Sequence, residues 1–277
     1  MPELPEVEAF GRWLRPRVRG HRVTGVEVLK PRLVRPLSPS RFQKALEGCR
    51  LEDLGRRGKC LLWDWVRPDG EPLLMVSHLG MTGSWEILPS TGEPLPRHAA
   101  VVLRFDDLRV VLDDPRQFGS LRLGAGSMPV LGPEPLASDF TADALGRVLA
   151  GCRRPVKVCL MDPARLAGVG NLYASEALFL AGIDPARSAT ALGPDDIVRL
   201  HAVLRRILNE AVDRNLRALK SDRPMLYQQG GVTEAPEDGG LWVYDREGEP
   251  CRRCGTPIIR FIQSGRSTYQ CPRCQPS

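Results

Sequence analysis

The chain has 277 residues and carries 39 Lys and Arg against 33 Asp and Glu, a formal charge of +6. That length suits two domains with a small appendage, the 42% hydrophobic content permits ordinary cores, and the basic balance favours an anionic partner. No run of about 20 apolar residues occurs, which excludes a spanning helix, and the acidic, Pro-rich start is unlike a targeting signal. A cytoplasmic, reducing location is therefore the expectation, with a monomer as the default. The cations are mostly Arg, which suits bidentate phosphate contacts; a GC-rich genome gives the same bias, and both readings stand.

Residues 5–15 predict a helix. Pro5 suits its first position, Glu6 suits its positive end, and Val7, Phe10 and Leu14 share a face before Pro16 stops it. From about 21 to 125 the texture changes to short apolar runs cut by Gly, Pro and Asp, at 22–29, 60–65, 73–77, 99–105 and 108–112. This is the pattern of an antiparallel sandwich or barrel. The Gly- and Pro-rich stretch 124–138 reads as a linker. Helical periodicity follows at 141–150, 171–181 and 194–219, the last with one stripe of Ile197, Leu200, Leu204, Ile207, Leu208, Ala211 and Val212. Residues 221–240 are polar with two Gly pairs and read as a loop.

The chain closes with Cys251, Cys254, Cys271 and Cys274, two Cys-x2-Cys knuckles sixteen residues apart. Four thiolates suit one tetrahedral zinc, and leave no open position for catalysis. Strands over 258–262 and 267–270, turning at Ser264-Gly265, are expected between the knuckles. Residues 251–277 hold Arg252, Arg253, Arg260, Arg266 and Arg273 and no acid, which favours nucleic acid over a purely structural ribbon. Cys49, Cys60, Cys152 and Cys159 lack ligand spacing and are read as structural thiols in a reducing compartment.

Several motifs occur in order along the chain: Met1-Pro2-Glu3-Leu4-Pro5-Glu6-Val7-Glu8, Arg57-Gly58-Lys59, His78-Leu79-Gly80-Met81-Thr82-Gly83, Asp114-Pro115-Arg116-Gln117-Phe118-Gly119, Gly132-Pro133-Glu134-Pro135-Leu136, and Gly168-Val169-Gly170-Asn171 through Glu176. With the cysteine segment they resemble the bacterial formamidopyrimidine-DNA glycosylases, in the formamidopyrimidine-DNA glycosylase and endonuclease VIII family, over nearly the whole chain. The resemblance implies an α+β fold of two domains. The first, 1–125, is a β-sandwich with a leading helix. A linker at 126–138 leads to a helical helix–two-turn–helix domain at 139–240, with a lesion-covering loop at about 221–240, and the zinc finger occupies 241–277. Damaged double-stranded DNA is the implied partner, held in the cleft between the domains, and only through this resemblance is association with the nucleoid expected.

The implied activity is base excision with abasic-site cleavage, directed at 8-oxoguanine and formamidopyrimidines. Removal of Met1 would leave Pro2 as a secondary amine with a pKa near ~8, about two units below Lys, and so partly nucleophilic at neutral pH. By resemblance Pro2 is the nucleophile, Glu3 the acid/base, and Lys59 completes the catalytic set. Asn171 and Arg266 join Lys59 on phosphates flanking the flipped nucleotide. Met81, Phe118 and Arg116 fill the void left by the base, with Arg116 facing the orphaned partner. His78 is assigned to phosphate contact or to packing in the sheet. Glu6 serves the site or the helix terminus, and Arg57 reads as an ordinary surface residue.

Three departures stand out. The usual second Arg before Phe-Gly is Gln117, which bears on pairing preference opposite the lesion. The usual Lys-His-Asp-His reads Arg97-His98-Ala99-Ala100. The usual Gly-Gly-Thr-Thr after the long helix reads Asn215-Leu216-Arg217-Ala218, with Ser221, Asp222 and Tyr227 keeping register. The last raises an alternative preference for oxidised pyrimidines; a non-catalytic zinc protein that binds damaged DNA is the other alternative.

Overall fold

The computed structural model describes residues 1–221 and 240–276. The expected lesion-covering loop, with Asp222 and Tyr227, lies outside the described residues apart from Ser221 and Gly240. The chain divides into two compact units. One holds Met1–Pro2, Glu6–Pro129 and 215–221; the other holds Glu3–Pro5, Val130–Arg214 and 240–276.

Helix α1 (Leu4–Val18) runs through Pro16 rather than stopping before it. Pro16 sits in the last turn and withholds only the amide that would have met the Arg12 carbonyl. Val18 is fully buried and holds that turn down, while the Arg17 guanidinium donates to the Trp13 carbonyl at 2.7 Å. Val7, Phe10 and Leu14 bury the expected face.

Eight strands follow in this unit: β1 (Gly25–Val28), β2 (Arg50–Arg57), β3 (Cys60–Val66), β4 (Pro72–His78), β5 (Ser84–Pro89), β6 (Ala99–Arg104), β7 (Leu108–Asp113) and β8 (Ser120–Leu123), with the short helix α2 (Pro39–Leu46) between β1 and β2. They form two four-stranded antiparallel sheets, ordered β1-β6-β7-β5 and β2-β3-β4-β8. Alternate residues of both face one core, where Trp63, Trp65 and Trp85 are packed with Leu103, Val110 and Leu112. The β2–β3 hairpin turns on Gly58 and Lys59 alone, and Gly58 supplies the positive φ of 58°. Ala99 and Ala100 are buried in β6, so the departure from Lys-His-Asp-His places two small residues inside a strand.

In the second unit, Thr141 caps α3 (Ala142–Ala150) by accepting the Ala144 amide at 3.2 Å. A short helix, α4 (Val156–Leu160), precedes α5 (Asn171–Ala181), which Gly182 ends in the left-handed conformation. Helix α6 (Pro194–Lys220) keeps the expected stripe, with Leu200, Leu204, Leu208, Ala211 and Val212 buried. From Asn215 onward it belongs to the first unit, where Leu216 and Leu219 pack on the core and the Asn215 amide donates to Glu6 at 3.1 Å. Strands β9 (Ile259–Gln263) and β10 (Arg266–Gln270) pair antiparallel and turn at Ser264 and Gly265.

Two readings of the sequence change here. Cys152 and Cys159 are joined as a disulfide and are not separate thiols; the α3–α4 connection brings them together, which their spacing of seven does not announce. Cys49 and Cys60 remain free and buried, as expected. Part of the segment read as a linker is seated: Gly132 lies so close to the Arg165 backbone that a Cβ would sit 2.2 Å from it, and Leu136 packs on the helical core.

Candidate functional site

In the second unit the site is assembled around the start of α5. Gly168 has a φ of 81° and its carbonyl accepts the Leu4 amide at 3.0 Å. A side chain there would meet the Leu4 Cβ at 2.7 Å, so only Gly allows this approach. Seated this way, the neighbouring Glu3 carboxylate accepts the Gly170 amide at 2.7 Å and the Leu172 amide at 3.0 Å. These are the unsatisfied donors at the positive end of a helix, and an anion is favoured there. Glu3 is 3% exposed.

Asn171, the first residue of α5, donates to the Ser267 carbonyl at 3.0 Å. The same carbonyl accepts Lys157 Nζ at 2.9 Å, and Lys157 also donates to Thr268 Oγ1 at 2.8 Å. The Thr268 hydroxyl in turn donates to Gln263 Oε1 at 2.9 Å. Ser267 follows Arg266, so this network fixes the strand at the residue expected to meet phosphate. Burial pushes the Lys157 ammonium down to about 7, with Glu3 opposing the shift and Arg266 adding to it. Arg154, Lys157, Gln263, Ser264 and Arg266 share the lining of a groove of about 290 Å³. Lys157 is absent from the residues expected from sequence, because nothing local to residues 153–157 separates it from a solvated cation and only the α4 register buries it.

The hairpin is held from a second side by Glu176, whose carboxylate accepts the amides of Trp242, Val243 and Tyr244 at 2.8 to 2.9 Å. Burial raises its pKa although those three amides oppose the rise. Four sulfurs close the base: Cys251, Cys254, Cys271 and Cys274 lie within 4.8 Å of one another, with pairs at 3.5 and 3.9 Å. A tetrahedron of Zn–S bonds near 2.3 Å sets sulfurs about 3.8 Å apart, so the set fits one zinc. Without a metal the sulfurs compete for protons. The Thr256 hydroxyl and amide hold Cys254 down at about 6, while burial and the neighbouring sulfurs push Cys274 up to about 12. A divalent cation removes that conflict.

In the first unit two turns adjoin. Met81 lies in the turn after β4, and Arg116, Gln117 and Phe118 lie in the turn after β7. Gly80 at a φ of 64° presses on the Phe118–Gly119 peptide, where a Cβ would sit 2.4 Å from the Phe118 carbonyl carbon. Both large apolar side chains are left in solvent, Met81 37% and Phe118 46% exposed, and the Arg116 guanidinium lies 4.8 Å from the Phe118 ring centre. Arg32 approaches the same ring at 5.9 Å. His78 Nδ1 accepts the Gly80 amide at 3.0 Å, and burial together with Lys59 lowers its pKa. That ring is neutral and holds the Met81 turn. Lys59 stands at the β2–β3 tip, where Cys60 pairs with His78. Pro2 is buried and directly precedes Glu3, and Met1 is exposed.

The family models agree in order with these parts. The N-terminal domain of formamidopyrimidine-DNA glycosylase matches residues 1–121, the H2TH domain of formamidopyrimidine-DNA glycosylase matches 131–222, and the zinc finger found in that enzyme and in isoleucyl-tRNA synthetase matches 248–276. The chain is 43% identical to the formamidopyrimidine-DNA glycosylase of Symbiobacterium thermophilum, covering 100% of this chain and 90% of the relative. It is 40% identical to that of Chloroflexus aurantiacus, covering 99% and 98%. Among solved structures, the Lactococcus lactis enzyme non-covalently bound to abasic-site DNA matches with a TM-score of 0.83 at 29% identity, over 99% of this chain and 100% of that one. The same enzyme on DNA containing Fapy-dG matches at 0.84 and 30%, with the same coverage.

Proposed function

Because the chain belongs to the formamidopyrimidine-DNA glycosylase family, and is thereby a DNA glycosylase of base-excision repair, we propose that it excises oxidised purines from duplex DNA and then cleaves the strand. Once Met1 is removed, the Pro2 nitrogen attacks the sugar C1′, the damaged base leaves with the electron pair of the glycosidic bond, and the C1′–O4′ bond then opens as O4′ takes up a proton, leaving a C1′=N iminium. The resulting iminium is an electron sink. Loss of the C2′ proton breaks the C3′–O bond, and a second elimination breaks the C5′–O bond. Glu3 carries the proton at the ribose ring oxygen and serves the later transfers. The Gly170 and Leu172 amides fix the carboxylate in place for that task.

Arg266, Asn171 and Lys59 take the phosphates beside the everted nucleotide, and Met81, Phe118 and Arg116 occupy the space it leaves. When bound, zinc supplies a rigid tether for the hairpin, held by Cys251, Cys254, Cys271 and Cys274. The observation that carries the reading is the amide-bound Glu3 carboxylate next to Pro2. Relatives crystallised on abasic-site and Fapy-dG DNA support the substrate class.

Borohydride trapping on a duplex with an abasic site tests the chemistry. Wild-type protein lacking Met1 should give a covalent adduct; its absence would sink the enzyme reading, and equal trapping by Pro2→Gly would move the nucleophile elsewhere. Excision of 8-oxoguanine opposite cytosine should exceed that of thymine glycol opposite adenine, and the reverse order would favour the pyrimidine alternative.

A further inference from the structure

Asp114 is 1% exposed, yet it carries a carboxylate at the base of two solvent-facing turns. Its Oδ1 accepts the Thr82 hydroxyl at 3.0 Å and its Oδ2 accepts the Gly119 amide at 2.8 Å. Thr82 follows Met81, and Gly119 follows Phe118, so one side chain joins the two turns that present these residues. Its own backbone joins in: the Asp114 amide meets the His98 carbonyl at 3.1 Å, and the Asp114 carbonyl accepts the Gln117 amide at 3.2 Å. Gln117 is held at a φ of 54°, a left-handed conformation that a non-Gly residue keeps only where its surroundings fix it. Gly119 lies so close that a Cβ would stand 3.0 Å from the Asp114 carboxylate.

We propose that Asp114 is the positioning residue of the void-filling wedge: its carboxylate locks the Met81 turn to the Arg116–Phe118 turn, so the three side chains enter the duplex as one body. The inference rests on the wedge reading given above. Exposed apolar side chains on separate turns would otherwise each lose conformational freedom on entering the base stack. A clamp bearing two hydrogen bonds removes that cost before DNA arrives. Asp114 touches neither substrate nor reacting atoms and acts only through the turns.

The test compares two substrates that share the nucleophile. A duplex with 8-oxoguanine opposite cytosine requires the void to be filled; a single-stranded oligonucleotide with an abasic site has no partner strand and no void. Asp114→Ala should lower duplex excision about ten-fold, the loss of a buried hydrogen-bonded acceptor, with single-strand cleavage unchanged. Thr82→Val, which deletes one of the two bonds and leaves the carboxylate, should shift the duplex-to-single-strand ratio the same way by a smaller factor. It also serves where Asp114→Ala does not fold. Asp114→Asn keeps an acceptor oxygen and should fall between wild type and Asp114→Ala. Equal loss on both substrates would overturn the proposal in favour of a general structural role. Met81→Ala with Phe118→Ala is the control. If that pair leaves the ratio unchanged, the wedge reading itself fails; if it lowers the ratio while Asp114→Ala and Thr82→Val do not, only the clamp is wrong.

Discussion

Two parts of the molecule present side chains on short turns, and they are stiffened by different means. The zinc hairpin is fixed from three directions, by four thiols at its base, by Glu176 on the segment leading into it, and by Lys157 and Asn171 on β10. The wedge turns of the first unit have one buried carboxylate, one histidine and close glycine contacts. On the proposed reading the hairpin would offer cations to an electrostatic partner at a distance, whereas the wedge would have to match the shape of a gap between bases. Charge tolerates some displacement because Coulomb attraction falls slowly with distance. Packing does not, because dispersion contacts are lost within an ångström. The wedge therefore gains precision from backbone contact, and the hairpin gains endurance from a metal.

The largest expected effect falls on the metal. Cys251→Ser should abolish stoichiometric zinc, measured by metal analysis, and lower DNA affinity by more than about ten-fold in a gel-shift assay, since structural zinc supplies on the order of 10 kcal/mol to such a module. Retention of full affinity without zinc would show that the Glu176, Lys157 and Asn171 contacts suffice to hold the hairpin. Next, Arg266→Ala should keep its zinc but weaken binding by about ten-fold and reduce the slope of log affinity against log salt by about one. An unchanged slope would remove Arg266 from the phosphate contacts.

Lys157→Met separates stability from placement. A buried charge replaced by an apolar chain of similar volume is often neutral for stability, so the melting temperature should stay nearly constant while duplex excision falls. The pH dependence carries the sign. The folded pKa of about 7 lies below the usual lysine value of 10.5, so between those values the unfolded chain binds more protons. Wild-type stability should rise with pH across that window relative to Lys157→Met, with a constant penalty below it. A flat difference would mean that the ammonium is solvated.

The smallest effect belongs to Glu8. Burial would raise its pKa, but Arg56 at 2.6 Å and Arg12 at 2.7 Å bring it below the usual value of 4.5. The contribution is present above that value and is lost as pH falls through the lowered folded pKa. Glu8→Gln should cost about 1 kcal/mol at neutral pH in a denaturant titration, and the difference should vanish in acid.

The features most legible in the sequence were those set by spacing. The knuckle cysteines, the long stripe of α6 and the bounds Asn171–Ala181 of α5 follow from ligand geometry and from a period of 3.6. Strand β2 escaped because Leu51 and Leu54 are its only buried apolar residues among charged neighbours, and β8 because four residues carry too little pattern. Lys157 and Asp114 escaped for a different reason. Their importance lies in partners 110 and 32 residues away, and no local pattern distinguishes a buried cation or carboxylate from a solvated one. Pro16 does not end α1 because it lies in the last turn, where a proline costs one hydrogen bond and does not break a helix interior.

The bridge between Cys152 and Cys159 adds a covalent restraint to the second unit. Closing a loop of this size removes enough freedom from the unfolded chain to be worth about 2.5 kcal/mol, and thiol reductants return that freedom. Lys157 lies inside the closed loop. The bridge and the Lys157 contacts to β10 therefore restrain one segment from two sides.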